Sequence, residues 1–211
     1  MQYICVQVGL LDTNCYIFFD NNRQGVVVDP GGNSGRILNI IKQHGLNILY
    51  VLLTHVHFDH FLAAGDVIRS TGAKLLVPKD DETALSDPGR SLISLAAGGL
   101  GTALKSDRVL CDGDEITAGE LKIKVLSTPG HTPGSSCYIC GDLLLSGDTL
   151  FAGSIGRTDF PGGSFEDIRQ SLEKLKSLKG DYTVLPGHGP STTLSAEKTG
   201  NPYMSADGFG C

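Results

Sequence analysis

A short run of metal-binding residue types constrains this 211-residue chain more than any other feature. Positions 54–60 read THVHFDH and hold half of the six histidines together with an aspartate, directly after the apolar run 48–53. Neutral imidazole and carboxylate are donors that zinc and iron ions prefer. A polar loop without such a role would more often use glycine, asparagine and serine. We therefore expect this segment to bind metal.

The spacing of the donors indicates two neighbouring ions. The apolar run predicts a strand, and residues two apart in an extended segment lie on one face, so His55 and His57 can hold one ion together. Asp59 and His60 follow one turn later, where they can face a second ion. Irregular backbone at the end of a strand can also turn several side chains toward one point. A binuclear site needs further donors from elsewhere in the chain.

Single donors occur in three turns rich in glycine or proline. His131 lies in PGHTPG, Asp148 in SGDT and His188 in PGHGP. Each turn follows an apolar run that predicts a strand: 123–126, 143–145 and 183–185. Taken alone, each histidine would be interpreted as a turn residue bonded to backbone, but the cluster at 54–60 favours a ligand role. We expect all three donors to meet that cluster at the carboxyl ends of strands.

The order of these donors resembles the metallo-β-lactamase fold superfamily, whose pattern is His-x-His-x-Asp-His, a lone His, a bridging Asp and a final His. The resemblance extends from position 11 to about 190, and it includes TNCY at 13–16 and VVVDPGG at 26–32, which match the opening hairpin of the family. Within the second motif, a turn carboxylate is the plain alternative interpretation of Asp29.

The resemblance implies an α/β (α+β) fold, a four-layer αββα sandwich with the metals at one edge between the two sheets. It also assigns the ligands of the two ions. The first ion takes His55, His57 and His131, the second takes Asp59, His60 and His188, and Asp148 lies between them.

Departures from the family pattern narrow the branch. Asp148 stands where antibiotic-hydrolysing members carry a cysteine, which disfavours a β-lactamase. His57 stands where flavodiiron oxygen reductases carry a glutamate, and the chain has no length for their flavin domain. These two positions favour a hydrolase of another branch.

The loop 151–163, FAGSIGRTDFPGG, resembles that of small glyoxalase-II-like (hydroxyacylglutathione hydrolase-like) thioester hydrolases. Arg157 matches their basic residue for the glutathione part of the substrate and could bind a substrate carboxylate through two hydrogen bonds. Asp159 departs from the pattern, which has an aromatic residue there, and a surface pair between Arg157 and Asp159 is the alternative. The residues after His188 are too few for the helical domain that supplies further glutathione contacts in full-length glyoxalase II.

The expected activity follows from the metals. Water bound to a metal ion has its pKa lowered from 15.7 toward ~7, and a second ion ~3.5–4 Å away can stabilise the developing oxyanion or the leaving group. Asp59 is the expected catalytic residue, orienting the hydroxide. A thioester such as a hydroxyacylglutathione suits this attack because its carbonyl is electrophilic and the thiolate leaves readily. The expected cofactors are two divalent ions, zinc first, with iron and manganese as alternatives.

Three alternatives stay open. Positions 156–160, GRTDF, also fit the loop of mononuclear-iron persulfide dioxygenases, which share the histidine cluster. A lactone or another ester could replace the thioester. A noncatalytic scaffold with structural zinc is disfavoured, because closed structural sites use four ligands, often thiolates, rather than seven histidines and aspartates.

Length and charge bound the remaining possibilities. A chain of this size with 40% hydrophobic residues can bury a full core, so we expect one metallo-β-lactamase-like domain over 1–211. A net charge of −6 and the lack of a dense Lys/Arg patch argue against nucleic acid as a partner. Without a basic leader or an apolar run of membrane-spanning length, a cytoplasmic enzyme acting on a small molecule is expected, with its oligomeric state open.

The six cysteines are scattered, and without a sign of export we expect them reduced. Cys137 and Cys140 have the spacing of a zinc knuckle or redox motif. They fall in a predicted strand, where positions three apart face opposite sides. We interpret them as small apolar residues.

The periodicity predicts a β-meander at 3–8, 16–19 and 26–29. A helix is predicted over 34–44, where His44 ends the helix before Gly45 and is not expected to be a ligand. A second helical stripe follows the N-cap candidate Ser164. Positions 87–107 are either an insertion or a loosely packed helix and loop near the site, and the tail after 200 either packs near the site or frays.

Overall fold

The computed structural model describes residues 1–95 and 104–204, and these form two six-stranded sheets with helices outside them. The strands are β1 Gln2–Val8, β2 Thr13–Phe19, β3 Gln24–Val28, β4 Asn47–Leu52, β5 Lys74–Pro78, β6 Arg108–Leu110, β7 Glu115–Ala118, β8 Leu121–Ser127, β9 Ser136–Cys140, β10 Leu143–Gly147, β11 Leu150–Phe151, β12 Ser154–Ile155, β13 Thr183–Pro186 and β14 Thr192–Thr193. The helices are α1 Ser34–Gln43, α2 Phe58–Phe61, α3 Ala64–Thr71, α4 Phe165–Lys176 and α5 Leu194–Gly200, with 3-10 helices at Lys79–Ser86 and Ile93–Leu95.

The first sheet has the order β1-β2-β3-β4-β5-β6. Its first three strands are antiparallel neighbours, which confirms the predicted meander, and β3 to β6 run parallel. The second sheet has the order β14-β13-β10-β9-β8-β7, and within it β10 and β13 are parallel. The short pair β11-β12 forms a separate hairpin. Parallel neighbours end at the same edge of a sheet, so loops after successive strands collect there.

Three apolar clusters define four layers. The central cluster contains Tyr16, Phe18 and Val28 of the first sheet and Ile123 and Tyr138 of the second. A second cluster packs the other face of the first sheet against α1 and α3, and a third packs the second sheet against α4 and α5. Helix, sheet, sheet and helix therefore follow one another, which confirms the predicted αββα sandwich.

Two predicted helix ends agree with the structure. The Ser164 hydroxyl accepts a hydrogen bond from the backbone N–H of Asp167 and caps α4. His44 is the C-cap residue of α1, and its ring packs 6.1 Å from that of Phe19. The interpretation of His44 as a helix-end residue is therefore confirmed.

Cys137 and Cys140 lie on opposite faces of β9. Cys137 belongs to the cluster under α4 and Cys140 to the cluster between the sheets. Two thiols on opposite faces cannot share one metal ion, so their interpretation as small apolar residues is confirmed, and both lie in the core. The five cysteines among the described residues are all free thiols.

Three sequence predictions concern the segment 87–107, the tail after position 200 and the absence of a membrane-spanning segment. Within 87–107, positions 87–95 and 104–107 are described and include the 3-10 helix Ile93–Leu95, whereas 96–103 lie outside the described residues. The tail is described to position 204 and no further. Among the described helices, none has the length and apolar character needed to cross a bilayer. The assignment of 1–211 to one domain stays a prediction.

Candidate metal centre and adjoining cleft

Strand ends position all of the predicted donors. His55 and His57 follow β4, and His57 is the N-cap residue of α2, which carries Asp59 and His60. The remaining donors of the second sheet follow three strand ends: His131 after β8, Asp148 after β10 and His188 after β13. The backbone N–H of Ser136 donates to the carbonyl oxygen of Thr54 at 2.9 Å and joins the two sheets beside these loops.

Three imidazoles meet at one point. His55 Nε2 lies 3.1 Å from His57 Nδ1, and His131 Nε2 lies 2.9 Å from the same atom. All three residues are buried. We call His55, His57 and His131 the three-histidine set, and their donor atoms lie within 4.8 Å of one another.

A second group lies beside the first and nearer to solvent. Asp59 Oδ2 is 3.2 Å from His188 Nε2 and 3.4 Å from His60 Nε2. His60 is fully buried, whereas the His188 side chain is 27% exposed. We call Asp59, His60 and His188 the rim set, and their donor atoms also lie within 4.8 Å of one another.

Asp148 lies between the two sets. Its Oδ2 is 3.6 Å from His131 Nε2 and 3.5 Å from His188 Nε2, and its Oδ1 is 3.5 Å from His60 Nε2. Its Oδ2 therefore faces one histidine of each set, which suits a carboxylate that bridges two cations. The structure thus brings together the seven residues that the sequence analysis selected, and their role as ligands stays a prediction.

Hydrogen bonds fix the tautomers of two of the residues in the three-histidine set, His55 and His131. The Thr54 hydroxyl donates its proton to Asp29 at 2.7 Å, so it accepts from Nδ1 of His55 at 3.1 Å. His131 Nδ1 donates to the carbonyl oxygen of Arg157 at 2.7 Å. With Nδ1 protonated, Nε2 of both His55 and His131 carries a lone pair, as a metal ligand requires.

The rim set has the same organisation. His60 Nδ1 donates to Asp29 Oδ2 at 2.9 Å, and His188 Nδ1 donates to the carbonyl oxygen of Leu11 at 3.1 Å. In both residues Nε2 is the ring nitrogen that faces Asp59. Partners of this kind orient ligating imidazoles and raise their basicity.

Asp29 lies in a turn, but it has a larger role than the turn carboxylate that was the plain alternative at this position. It is buried and accepts hydrogen bonds from the backbone N–H and the hydroxyl of Thr54, and from His60. Its backbone has a φ of 51°, a left-handed conformation that costs energy in a residue with a side chain. The three hydrogen bonds hold this conformation and connect both metal-donor sets.

Burial keeps His55 and His57 uncharged. It lowers the pKa of His55 well below its usual value, and the imidazoles of His60 and His57 lower it further. Burial also lowers the pKa of His57 to about 3, with contributions from His131 and His60. These imidazoles are therefore neutral at pH 7, which is the form that binds a metal ion.

Negative charge dominates the rim set. Burial on its own lowers the pKa of His60, but Asp59, Asp148 and Asp29 outweigh it and raise that pKa to about 10. Burial raises the pKa of Asp59, yet His60 and a hydrogen bond from His188 produce a net lowering. The carboxylates around His60 favour positive charge at this place, which a divalent cation would supply.

The donor set fits one or two divalent cations. His57 Nε2, His60 Nε2 and Asp148 Oδ1 are buried without a hydrogen-bond partner, although His60 Nε2 and Asp148 Oδ1 lie 3.5 Å apart. In the three-histidine set, His57 Nδ1 can donate to only one of the two lone pairs that face it. A buried polar atom without a hydrogen-bond partner is costly unless another group satisfies it. A cation among Nε2 of His55, Nδ1 of His57 and Nε2 of His131 would satisfy the three nitrogens that face one another. A cation beside His60 Nε2 and Asp148 Oδ1 would satisfy those two atoms. His57 Nε2 lies on the other side of its ring and would carry the proton.

Gly187 allows the two sheets to approach at the site. A Cβ atom placed there would lie 2.2 Å from Asp148 Oδ1 and 2.8 Å from Cε1 of His60. Its backbone N–H bonds the carbonyl oxygen of Gly147 at 2.8 Å, which fixes the loop before His188 against the end of β10. A side chain at 187 would occupy the space between the donors.

A cleft of about 610 Å³ opens onto the donors. Its floor includes donors of both sets and Asp148. Its walls are mainly apolar: Leu10, Leu11, Phe58, Leu92, Phe151, Ile155 and Phe160. The Phe160 ring lies edge-on, 5.6 Å from the ring of His57. A cleft of this size and lining fits a small organic substrate whose reacting group reaches the donors.

Arg157 lines the cleft and is paired with Asp159. Its Nε and Nη2 donate to the two carboxylate oxygens of Asp159 at 2.7 and 2.6 Å, and its guanidinium carbon lies 3.9 Å from the centre of the Phe160 ring. The surface pair weighed in the sequence analysis is therefore present. Whether Arg157 also binds substrate stays a prediction.

Sequence reasoning missed three supporting residues. Thr13 Oγ1 donates to Asp59 Oδ2 at 3.0 Å, and Asn14 Nδ2 donates to the carbonyl oxygens before and after His188, at 3.0 and 2.9 Å. Asp81 is buried and accepts from Val56, between two of the histidines. The TNCY motif and the position of Asp81 just after β5 were the available signals.

A protein-family model described as the metallo-beta-lactamase superfamily matches residues 8–188. The probable metallo-hydrolase YqgX of Bacillus subtilis is 36% identical over 208 residues, 97% of this chain and 98% of that protein. The hydroxyacylglutathione hydrolase GloC of Haemophilus influenzae is 33% identical, over 95% of this chain and 97% of that protein.

Solved structures show the same similarity. The BLEG-1 B3 metallo-beta-lactamase has a TM-score of 0.91 at 32% identity, covering 97% of this chain and 100% of that one. TTHA1623 in a di-iron-bound form has a TM-score of 0.85 at 32% identity, with 95% and 99% covered. ETHE1 from Myxococcus xanthus has a TM-score of 0.77 at 30% identity, with 96% and 84% covered.

Proposed function

This chain belongs to the metallo-beta-lactamase superfamily as a metallo-hydrolase, and from that premise we propose that it hydrolyses thioesters with two divalent metal ions. The expected substrate class is the hydroxyacylglutathione type. The seven proposed ligands are His55, His57, His131, Asp59, His60, His188 and Asp148. A cytoplasmic location and action on a small molecule belong to the same proposal.

One observation carries the proposal. Two sets of three donors stand side by side, with Asp148 between them and a cleft of about 610 Å³ above them. Imidazole and carboxylate donors are compatible with zinc, iron and manganese. A structural zinc site would be closed by four ligands, whereas these donors border an open cleft. The arrangement therefore supports catalysis over a structural role.

The residues of the chain have distinct tasks in this proposal. Divalent ions, when bound, lower the pKa of water and stabilise negative charge on oxygen. Asp59 lines the cleft, and its Oδ2 is held by the hydroxyl of Thr13, so this carboxylate is fixed where it can orient the attacking water. The apolar walls exclude bulk water from the scissile carbonyl. The thiolate leaves readily, so no strong general acid is required.

Similarity to relatives supports the thioester over other acyl compounds. GloC is named a hydroxyacylglutathione hydrolase and matches this chain over nearly the whole length of both proteins. The loop 151–163 resembles that of glyoxalase-II-like enzymes, and Arg157 in it is the proposed contact for a substrate carboxylate. TTHA1623 was solved with two iron ions, which supports two metals here while leaving iron a candidate beside zinc and manganese.

A second candidate is a mononuclear-iron persulfide dioxygenase. Positions 156–160 favour it, because they fit the loop of that branch. It would use a single metal ion, so the presence of a complete rim set with Asp148 favours the hydrolase. β-Lactam hydrolysis is a further comparison, since BLEG-1 is titled a B3 metallo-beta-lactamase. Asp148 continues to predict against β-lactam hydrolysis, because antibiotic-hydrolysing members carry a cysteine at this position.

The test combines metal analysis with a substrate panel. Purified protein is analysed for zinc, iron and manganese, then assayed with S-lactoylglutathione, simple esters, lactones and a cephalosporin, and with glutathione persulfide in an oxygen electrode. We expect two metal equivalents and thioester cleavage above the other substrates. The variant His44→Gln is the matched control, since this histidine lies outside both sets. A metal-replete enzyme that cleaves no thioester contradicts the proposal, and one iron with rapid oxygen uptake establishes the second candidate.

A further inference from the structure

We propose that Asp81, a buried carboxylate that is not among the metal donors, is the positioning residue of the three-histidine set. In this assignment Asp81 sets the metal affinity of that set and leaves the rim set unaffected. The inference rests on the proposed binuclear centre and adds to it a residue that acts through the backbone of the ligands.

Asp81 uses both carboxylate oxygens to hold two distant segments. Its Oδ2 accepts from the backbone N–H of Val56 at 3.1 Å and from the hydroxyl of Thr132 at 2.7 Å, and its Oδ1 accepts from the backbone N–H of Gly134 at 2.9 Å. The side chain is 1% exposed. These are charge-assisted hydrogen bonds, which are the stronger kind inside a protein.

The two segments are those that carry the three histidines. Val56 stands between His55 and His57, and Thr132 follows His131. One carboxylate therefore ties the strand-end segment to the turn that supplies the third imidazole, and so fixes the separation between the donor atoms. A metal site gains affinity when its ligands are held in place before the ion arrives.

Packing makes this link rigid. A Cβ atom at Gly134 would lie 2.5 Å from the backbone nitrogen of Asp81 and 2.6 Å from its Cγ, so the turn after His131 lies directly against the carboxylate. Asp81 itself sits in the 3-10 helix Lys79–Ser86, immediately after β5. Any shift of Asp81 would be transmitted to both histidine segments.

A buried carboxylate of this kind needs a reason to persist. Burying an ionised group is costly unless it is paired and hydrogen-bonded. Arg90 forms an ion pair with Asp81, but its Nη2 is 3.9 Å from Oδ1, which is beyond hydrogen-bonding distance. Three donors from the histidine segments satisfy most of the charge, so the carboxylate and the arrangement of those segments stabilise each other.

The rim set has separate supports. Thr13 donates to Asp59, and Asn14 holds the backbone on either side of His188. Neither Thr13 nor Asn14 forms a hydrogen bond with Asp81, whose partners are Val56, Thr132 and Gly134. Loss of Asp81 and loss of the Thr13 hydroxyl should therefore weaken different metal equivalents.

The test measures metal binding directly. Metal-free wild type, Asp81→Asn and Thr13→Val are titrated with Co²⁺ against a chelating dye, and the visible absorption of Co²⁺ is recorded for each equivalent. We expect Asp81→Asn to weaken one equivalent by about 10–100-fold and Thr13→Val to weaken the other by a smaller factor. Thr132→Val, which removes only one hydroxyl, is used beside Asp81→Asn in case the latter folds poorly, as judged by circular dichroism. Asp112→Asn, at an exposed carboxylate bonded to Lys174, is the control.

A His131→Ala background identifies the equivalent concerned. In that background the three-histidine set is already broken, so Asp81→Asn should not weaken the remaining equivalent further. Equal weakening of both equivalents, or no change in a folded Asp81→Asn protein whose wild type binds two, overturns the assignment of Asp81 alone. A wild type that binds fewer than two equivalents contradicts the binuclear centre and this assignment with it.

Discussion

The metal-donor sets and the cleft walls lie within one site but are built differently. Nearly every donor is buried, and four of the five histidines have their second nitrogen bonded to an oxygen atom of the protein. The walls include Leu10 and Leu11, which are 76% and 53% exposed, and the exposed side chain of Arg157. The donors are over-determined by hydrogen bonds, whereas the wall residues are held by few.

This difference separates reaction from selectivity. Donors fixed by several partners cannot change without loss of the centre, because each replacement leaves a buried polar group unsatisfied. Exposed apolar side chains can change at small cost to stability. We therefore expect changes among the donors to abolish turnover and changes in the walls to alter which substrate is preferred.

Metal removal is the strongest challenge to this comparison. Dialysis against a chelator should reduce thioester turnover by more than about 100-fold. Removal of the ions abolishes the activation of water, whereas loss of a residue that only orients a metal ligand costs about 10–100-fold. The thermal midpoint should also fall, because an ion that binds only the folded protein stabilises it. Turnover and thermal unfolding are measured before and after re-addition of zinc, manganese or ferrous iron. Full activity in a sample shown to be free of metal would contradict the proposed chemistry.

Asp29→Asn tests the outer partner that serves both sets. Both carboxylate oxygens of Asp29 accept hydrogen bonds, and an amide can replace only one of these oxygens as an acceptor. Metal affinity or activity should therefore fall by about 10–100-fold. Asp20→Asn is the matched control, because Asp20 is also buried and accepts three backbone N–H groups, in the turn between β2 and β3 and at Glu120. Both variants are expected to lose stability, but only Asp29→Asn should release metal during dialysis. Equal metal retention in the two would show that Asp29 is purely structural.

Phe160→Ala probes the cleft wall. Its ring packs edge-on against His57 and His131, and it lies under Arg157. Removal of this surface should raise KM by up to about tenfold, equivalent to about 1.5 kcal/mol of lost apolar contact, with a smaller change in kcat. Steady-state kinetics and metal content are measured together. Phe165→Ala, at an aromatic residue outside the cleft, is the control and should leave KM unchanged. Loss of metal in Phe160→Ala would instead show that this ring supports the metal-binding residues.

Arg157 and Asp159 should give the smallest effects. The hydrogen bonds from Arg157 lower the pKa of Asp159 to about 2, so the pair is fully ionised at neutral pH. Arg157→Gln should raise KM by about threefold for a thioester that carries a carboxylate and leave KM unchanged for an uncharged thioester of the same acyl group.

Asp159→Asn supplies the complementary change. It frees the guanidinium for substrate, so KM for the carboxylate-bearing thioester should fall while metal content stays constant. Identical kinetics of both variants on both thioesters would remove Arg157 from the substrate site.

The sequence predicted the donors because their chemistry is local. His55, His57, Asp59 and His60 follow one predicted strand, and the rarity of such a cluster outside metal sites is visible without any contact being known. The single donors were found by the same reasoning, since each follows an apolar run. The fold followed from strand and helix periodicity together with the family resemblance, and the structure confirms it.

The supporting contacts were beyond sequence reasoning. Asp81 reaches Val56 across 25 positions, and Thr13 reaches Asp59 across 46. Such pairs depend on which strands become neighbours and on the register between them, which periodicity does not specify. The supporting role of Asp29 was not predicted for a related reason: its position after an apolar run was visible, but its left-handed backbone and its contact with His60 were not.

Arg157 belongs to both regions through different atoms. Its carbonyl oxygen accepts a hydrogen bond from Nδ1 of His131, while its side chain lies in the cleft. Amino acids share the carbonyl and differ in the side chain, so we expect saturation mutagenesis at this position to change substrate preference while the hydrogen bond from His131 is kept. Directed evolution of the enzyme could begin at this position without first rebuilding the catalytic centre.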